Sequence, residues 1–159
     1  SMQVAKVDIV KLLSQLLEEF YPSFMEKDLA YEFQSNVTAK DIKADGNLLA
    51  RLFDNLINNA IKYVDETPII KLFAKQYKDR VELMIKDNGI GILENELNRV
   101  FDKGFTGTTG RTKQKSTGIG LYLCKKLCYR LNHEIKIDSN SHGTVVTLVF
   151  PYSSHITLQ

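Results

Sequence analysis

The chain is poor in the residues that mark special chemistry. It has no tryptophan, only 2 cysteines and 3 prolines, and its 21 basic residues nearly cancel 19 acidic ones, leaving a net charge of +2. So few cysteines exclude a disulfide scaffold, and Cys124 and Cys128, one helical turn apart, suit a reducing compartment. A charge this small argues against nucleic acid as a partner. No apolar run approaches the roughly 18 residues that a membrane helix needs, and no hydrophobic leader opens the sequence. What is present is ordinary: 43% hydrophobic and 25% charged residues describe one globular domain large enough to bury a core. Residues 1–3 read as a linker or cloning scar and 152–159 as a tail, which leaves 4–151 as the domain.

Periodicity supplies the elements. A strand is expected from Val4 to Ile9, followed by a helix with its apolar stripe at Leu13, Leu16, Leu17 and Phe20 and its stop at Tyr21-Pro22. Leu29 to Phe33 alternates like a strand, and a second short strand falls near Ile42. Asp45 is placed to cap a helix with paired apolar positions from Leu48 to Ile61. Ile69–Ala74 and Val81–Ile85 form a hairpin, a helix resumes at Leu121, and Ile135–Asp138 and Thr144–Phe150 close the chain as strands. This order predicts an α/β (α+β) two-layer sandwich: a mixed sheet of about five strands with three main helices on one face. Between Asp87 and Gly120 the pattern fails, with 7 of the 9 glycines in that stretch and only Leu93 to Phe101 able to hold a short helix. A loop of that length inside a compact domain is normally functional.

Three segments carry the chemistry. On the helix around Arg51–Tyr63, the side chains of Asn55, Asn59, Lys62 and Tyr63 fall within an arc of about 100°, at the margin between core and solvent. Two amides, an ammonium and a phenol offer oxygen ligands to Mg²⁺, a charge for phosphate and a ring for a base, although a plain polar helix margin reads the same way. Asp87-Asn-Gly-Ile-Gly91 follows a strand; Gly89 and Gly91 allow close backbone approach, and a fixed carboxylate suits an exocyclic amine such as that of adenine. The plain alternative is a turn. Ser116-Thr-Gly-Ile-Gly-Leu121 opens a helix with exposed N–H groups, a ready phosphate site. Before it, residues 102–115 hold one acid and four bases, read either as a basic flap over phosphates or as a solvated loop.

Together and in this order the segments resemble the ATP-binding catalytic domain of bacterial sensor histidine kinases, in the wider family shared with DNA gyrase, Hsp90 and MutL. Asn55–Tyr63 looks like the N box and Asp87–Gly91 like the first glycine box. Phe101-Asp-Lys-Gly-Phe105 looks like the F box, Thr117-Gly-Ile-Gly120 like the second glycine box, and Gly143-Thr144 like the closing strand. The resemblance implies ATP and Mg²⁺ as ligands. It places Asn55 on the metal and Asn59 beside the metal and phosphates. Lys62 and Lys103 would meet phosphates, Tyr63 the adenine side and Asp87 the adenine amine. Gly89, Gly91, Phe101, Thr117, Gly118, Gly120 and Thr144 complete the binding set, with a long lid over about 92–117; within it the basic, glycine-rich segment from Asp102 to Lys115 is expected to order in part around the γ-phosphate. Phe105 is read as an exposed aromatic that docks on the partner hairpin.

The same resemblance implies a function: transfer of the ATP γ-phosphoryl group to a histidine on a dimerisation domain outside this chain. The partners that follow are that domain, in a homodimer of the full-length protein, and a cognate response regulator. The wording from Lys103 to Gly107 and from Ser116 to Tyr122 further resembles kinases that sense antimicrobial peptides beside ABC transporters. It implies a cytoplasmic domain of a membrane-anchored kinase, monomeric by itself. His133, His142 and His155 do not fit the acceptor's helical setting, even though Glu134 follows His133. Hydrolysing relatives carry a glutamate where Asn55 stands; an amide takes no proton near neutral pH, so the pocket lacks a general base for water. The alternatives within this fold are an ATPase or ATP-gated clamp and a serine kinase.

Overall fold

The structure, a computed structural model, describes residues 3–38, 41–62, 69–105 and 120–152. The element order is β1 (Ala5–Asp8), α1 (Ile9–Glu26), β2 (Ala30–Ser35), β3 (Asp41–Ala44), α2 (Gly46–Lys62), β4 (Ile69–Gln76), β5 (Arg80–Asp87), a 3₁₀ turn (Glu94–Arg99), α3 (Gly120–Leu131), β6 (Glu134–Asn140) and β7 (Gly143–Pro151). Five strands form the main sheet in the order β2-β4-β5-β7-β6, and β1 and β3 pair as a separate antiparallel ribbon. Only β2–β4 is parallel, so the sheet is mixed, as the sequence predicts.

Alternation explains the two layers. Ile70, Leu72 and Ala74 on β4, Val81, Leu83 and Ile85 on β5, and Leu148 and Phe150 on β7 are buried on one face. Leu13 and Leu17 of α1, Leu52, Phe53 and Leu56 of α2, and Leu127 and Leu131 of α3 join them in a single core cluster. Lys71, Lys75, Lys86 and Lys136 point from the opposite face into water. Asp45 caps α2 as expected, accepting from the Asn47 and Leu48 N–H groups at 3.0 and 3.2 Å. It also accepts from the Gln3 N–H at 2.8 Å, and these donors hold its carboxyl below the usual carboxylate range despite burial. Cys124 and Cys128 are buried and free, and burial pushes both thiols up.

Two boundaries differ from expectation. The first strand ends at Asp8 rather than Ile9, because Asp8 caps α1 through the Lys11 N–H at 3.1 Å. The helix then does not stop at Tyr21-Pro22 but runs through Pro22 to Glu26. Phe24, 1% exposed, stacked on Phe20 and tilted against Tyr31, is buried only if the last turn forms. A proline costs a helix interior about 3 kcal/mol; here it sits on the solvent side, where water can satisfy the carbonyl it leaves unpaired. Phe105, expected to be exposed, is half-buried against the core with the Arg99 guanidinium 5.1 Å above its ring.

His133 is 7% exposed, edge-on to Phe150 with centroids 4.7 Å apart, and neither ring nitrogen makes a hydrogen bond of good geometry among the described residues. Burial lowers its pKa from 6.5 to about 4, a shift that the nearby Asn132 backbone only partly opposes. The fold therefore favours the neutral ring: stability is complete above pH 6.5 and is lost as pH falls towards 4, where the unfolded chain takes the proton first. At about 1.4 kcal/mol per pKa unit the loss amounts to about 3 kcal/mol. The expected result is a melting temperature that falls less between pH 6.5 and pH 4 in His133→Phe than in the native protein; parallel acid limbs would refute this role.

Candidate functional site

The break in periodicity after β5 builds a narrow cleft of about 20 Å³ at one end of the sheet. Asn59 and Leu56 of α2, Asp87 at the end of β5, Gly91 and Ile92 after it, and Thr144 of β7 line the cleft. Ile85, Ile137 and Val146 make an apolar floor. Four residues singled out from sequence, Asn59, Asp87, Gly91 and Thr144, thus meet around one space, although 85 residues separate the first from the last.

Asp87 ends β5 opposite Thr144 of β7 in the antiparallel register. Its Oδ1 accepts from the Gly89 N–H at 2.9 Å and from the Thr144 N–H at 3.3 Å. Two backbone donors orient this buried carboxylate at the cleft. Gly91 takes φ +80°, and a Cβ there would stand 1.9 Å from the Asn140 carbonyl oxygen. That close approach draws the chain after Asp87 against β6. Gly89 contributes its N–H to the carboxylate.

Other expected site residues lie elsewhere. Asn55 is half-buried one turn before Asn59, with Nδ2 donating to the Arg51 carbonyl at 2.8 Å. Phe101 is half-buried beneath the Lys125 ammonium, 5.3 Å from the ring centroid, and lines a separate groove with Tyr122 and Tyr129. Lys103 is exposed, its Nζ 5.9 Å from the Tyr122 ring centroid. Neither lines the cleft. Lys62 ends α2 and Gly120 begins α3, but their side-chain surroundings, like Tyr63, Thr117, Gly118 and the expected lid beyond Phe105, lie outside the described residues.

Sequence reasoning missed Ser139 altogether. Its Oγ accepts from the Ile92 N–H at 2.8 Å and lies 2.8 Å from Thr144 Oγ1, which ties the start of the long loop to β6 and β7. In sequence it reads as part of a Ser-Asn-Ser-His-Gly turn, and nothing local distinguishes it. Gly143 was visible only as a small residue opening the last strand.

Among the described residues no cluster of three or more His, Cys, Asp or Glu could hold a metal ion, and no helix is long and apolar enough to cross a membrane. The chain is 36% identical to the sensor protein BceS of Bacillus subtilis over 152 residues, which is 94% of this chain and 44% of that protein. It is 34% identical to the sensor histidine kinase YxdK of the same organism over 150 residues, 91% of this chain and 46% of that protein. The chain thus spans about half the length of the curated relatives it matches. The catalytic domain of histidine kinase ThkA superposes with a TM-score of 0.83 at 20% identity, covering 95% of this chain and 97% of that domain, a likeness of fold. The family described as "Histidine kinase-, DNA gyrase B-, and HSP90-like ATPase" matches residues 44–154, from the end of β3 past the end of β7 and so across the whole cleft, and the chain belongs to it.

Proposed function

We propose that residues 4–151 are the ATP-binding catalytic domain of a two-component sensor histidine kinase. The observation that carries this reading is the buried Asp87 carboxylate, oriented by the Gly89 and Thr144 N–H groups over an apolar floor. An apolar slot with one fixed acceptor suits a flat heterocycle bearing an amine, and adenine is such a base. The relatives named as sensor kinases support the same reading.

The residues present fit ATP with Mg²⁺. Asn59 lines the cleft, and Asn55 offers Oδ1 one turn away, an oxygen ligand of the kind a hard cation takes. ATP supplies the phosphoryl group and most of the oxygens that the metal needs. On this reading Lys62, Lys103 and the segment Thr117-Gly-Ile-Gly120 would meet the phosphates, and Tyr63 would pack on the adenine side.

Asn55 has no basic atom to activate water, and Asp54, its neighbour, is exposed and engaged by Asn58 Nδ2 at 3.3 Å. The work of the domain is therefore to position and polarise the phosphates, which is most of what phosphoryl transfer requires. The nucleophile is an imidazole on a dimerising helical hairpin, which takes the γ-phosphoryl group as ADP leaves. His133 cannot serve, because it is buried against Phe150. A response regulator then accepts the group; an ABC transporter as sensing partner and a membrane anchor for the full-length protein complete the reading.

The test uses labelled ATP. The protein alone is expected to bind MgATP, to stay unlabelled and to release phosphate only slowly, and addition of a matching hairpin domain should place label on that domain. Fast phosphate release by the protein alone would move it to the ATPase class.

A further inference from the structure

Ser139 lies near the end of β6, and its hydroxyl meets three neighbours at once. The Ile92 N–H donates to Oγ at 2.8 Å, the Gly143 carbonyl oxygen lies 3.1 Å away, and Thr144 Oγ1 lies 2.8 Å away. A serine hydroxyl has one proton and two acceptor lone pairs. An amide N–H can only donate, and a carbonyl can only accept. Ser139 must therefore give its proton to Gly143, and Thr144 must give its own proton to Ser139. No other assignment satisfies all three contacts.

The consequence falls on the cleft. Thr144 lines it together with Asp87. With its proton committed to Ser139, the Thr144 hydroxyl has only lone pairs to present, and an ionised carboxylate is likewise acceptor-only. The inner wall made by these two side chains accepts hydrogen bonds and donates none. A base edge that carries an amine finds partners there. One that carries a carbonyl oxygen meets acceptor against acceptor and loses its water without replacement.

We propose that Ser139 is a positioning residue that sets base specificity: by holding the Thr144 hydroxyl as an acceptor it makes the site take a purine with an exocyclic amine at that edge and reject one with an oxygen there. Adenine and guanine differ in this way. The inference rests on the nucleotide reading above and names what selects its base. Sites that recognise a partner by hydrogen-bond polarity discriminate more strongly than those that rely on shape. Ser139 acts through Thr144, and its bond to the Ile92 N–H is a separate, structural role.

The test compares dissociation constants for MgATP and MgGTP in the native protein, in Ser139→Ala and in Ser139→Ala/Thr144→Val. In Ser139→Ala the Thr144 proton is released to turn into the cleft, and the preference for ATP over GTP is expected to fall about tenfold. Thr144→Val on that background removes the donor and restores the preference. Ser139→Cys, similar in size but weak in hydrogen bonding, moves the ratio the same way and serves if the alanine variant does not fold. A role that is only structural weakens both nucleotides by one factor and leaves the ratio unmoved, and that outcome overturns the proposal. So does a lowered preference that persists in the double variant, or native binding that does not distinguish the two nucleotides. Native protein that binds neither overturns the nucleotide reading and this inference together, whereas selective native binding with an unmoved ratio overturns the inference alone.

Discussion

Replacing Asp87 by alanine is expected to weaken MgATP binding about a hundredfold, since a charge-assisted hydrogen bond contributes about 1.5–3 kcal/mol and two further donors lose their acceptor. Those donors are the Gly89 and Thr144 N–H groups, which now share Oδ1. The alanine variant removes both the ligand's acceptor and the brace of the β5–β7 end, so part of its defect is structural. Asp87→Asn separates the two. Its amide oxygen can still accept from both backbone groups, which preserves the fold, while its NH₂ faces the base amine donor to donor. Calorimetry on the asparagine variant should therefore show native melting with most of the ATP affinity gone. Near-native affinity there would remove Asp87 from base recognition.

The second large effect is on folding. Gly143 holds φ +140°, and a Cβ placed on it would stand 2.0 Å from the Asp87 carbonyl oxygen. No side-chain rearrangement relieves a clash with backbone. The conformation alone costs about 1–3 kcal/mol, and parting β7 from β5 adds to it. Gly143→Ala is expected to lower the melting temperature by about 10 °C, at roughly 2–4 °C per kcal/mol for a chain of this size. Gly91→Ala should behave similarly, because its Cβ would meet the Asn140 carbonyl at 1.9 Å. Gly104 is the control: its φ is +80°, but nothing lies within 4 Å of the added atom. Gly104→Ala should cost only the backbone term, about 1 kcal/mol. Equal losses at positions 143 and 104 would show that close approach does not govern the site.

Much of this protein was legible before any coordinates. The alternation at Ile70, Leu72 and Ala74, the paired apolar positions of α2 and the Asp45 cap are signals written within a few residues of where they act. They determined the strands, the helices and the layer in which the helices lie. The order of polar and glycine-rich segments singled out Asn59, Asp87, Gly91 and Thr144, and all four line one cleft. Tertiary packing decided the rest. Whether α1 survives Pro22 depended on the burial of Phe24, a term no local pattern contains. The placing of β7 between β5 and β6 is what brings Thr144 beside Asp87. The same placing brings Ser139 to Ile92 across 47 residues of sequence, while Phe101 and Lys103 lie beside α3, apart from the cleft. Propensity, capping and periodicity are local energies, readable from neighbours along the chain. Register and hydrogen-bond polarity are settled by which distant groups must share one buried space.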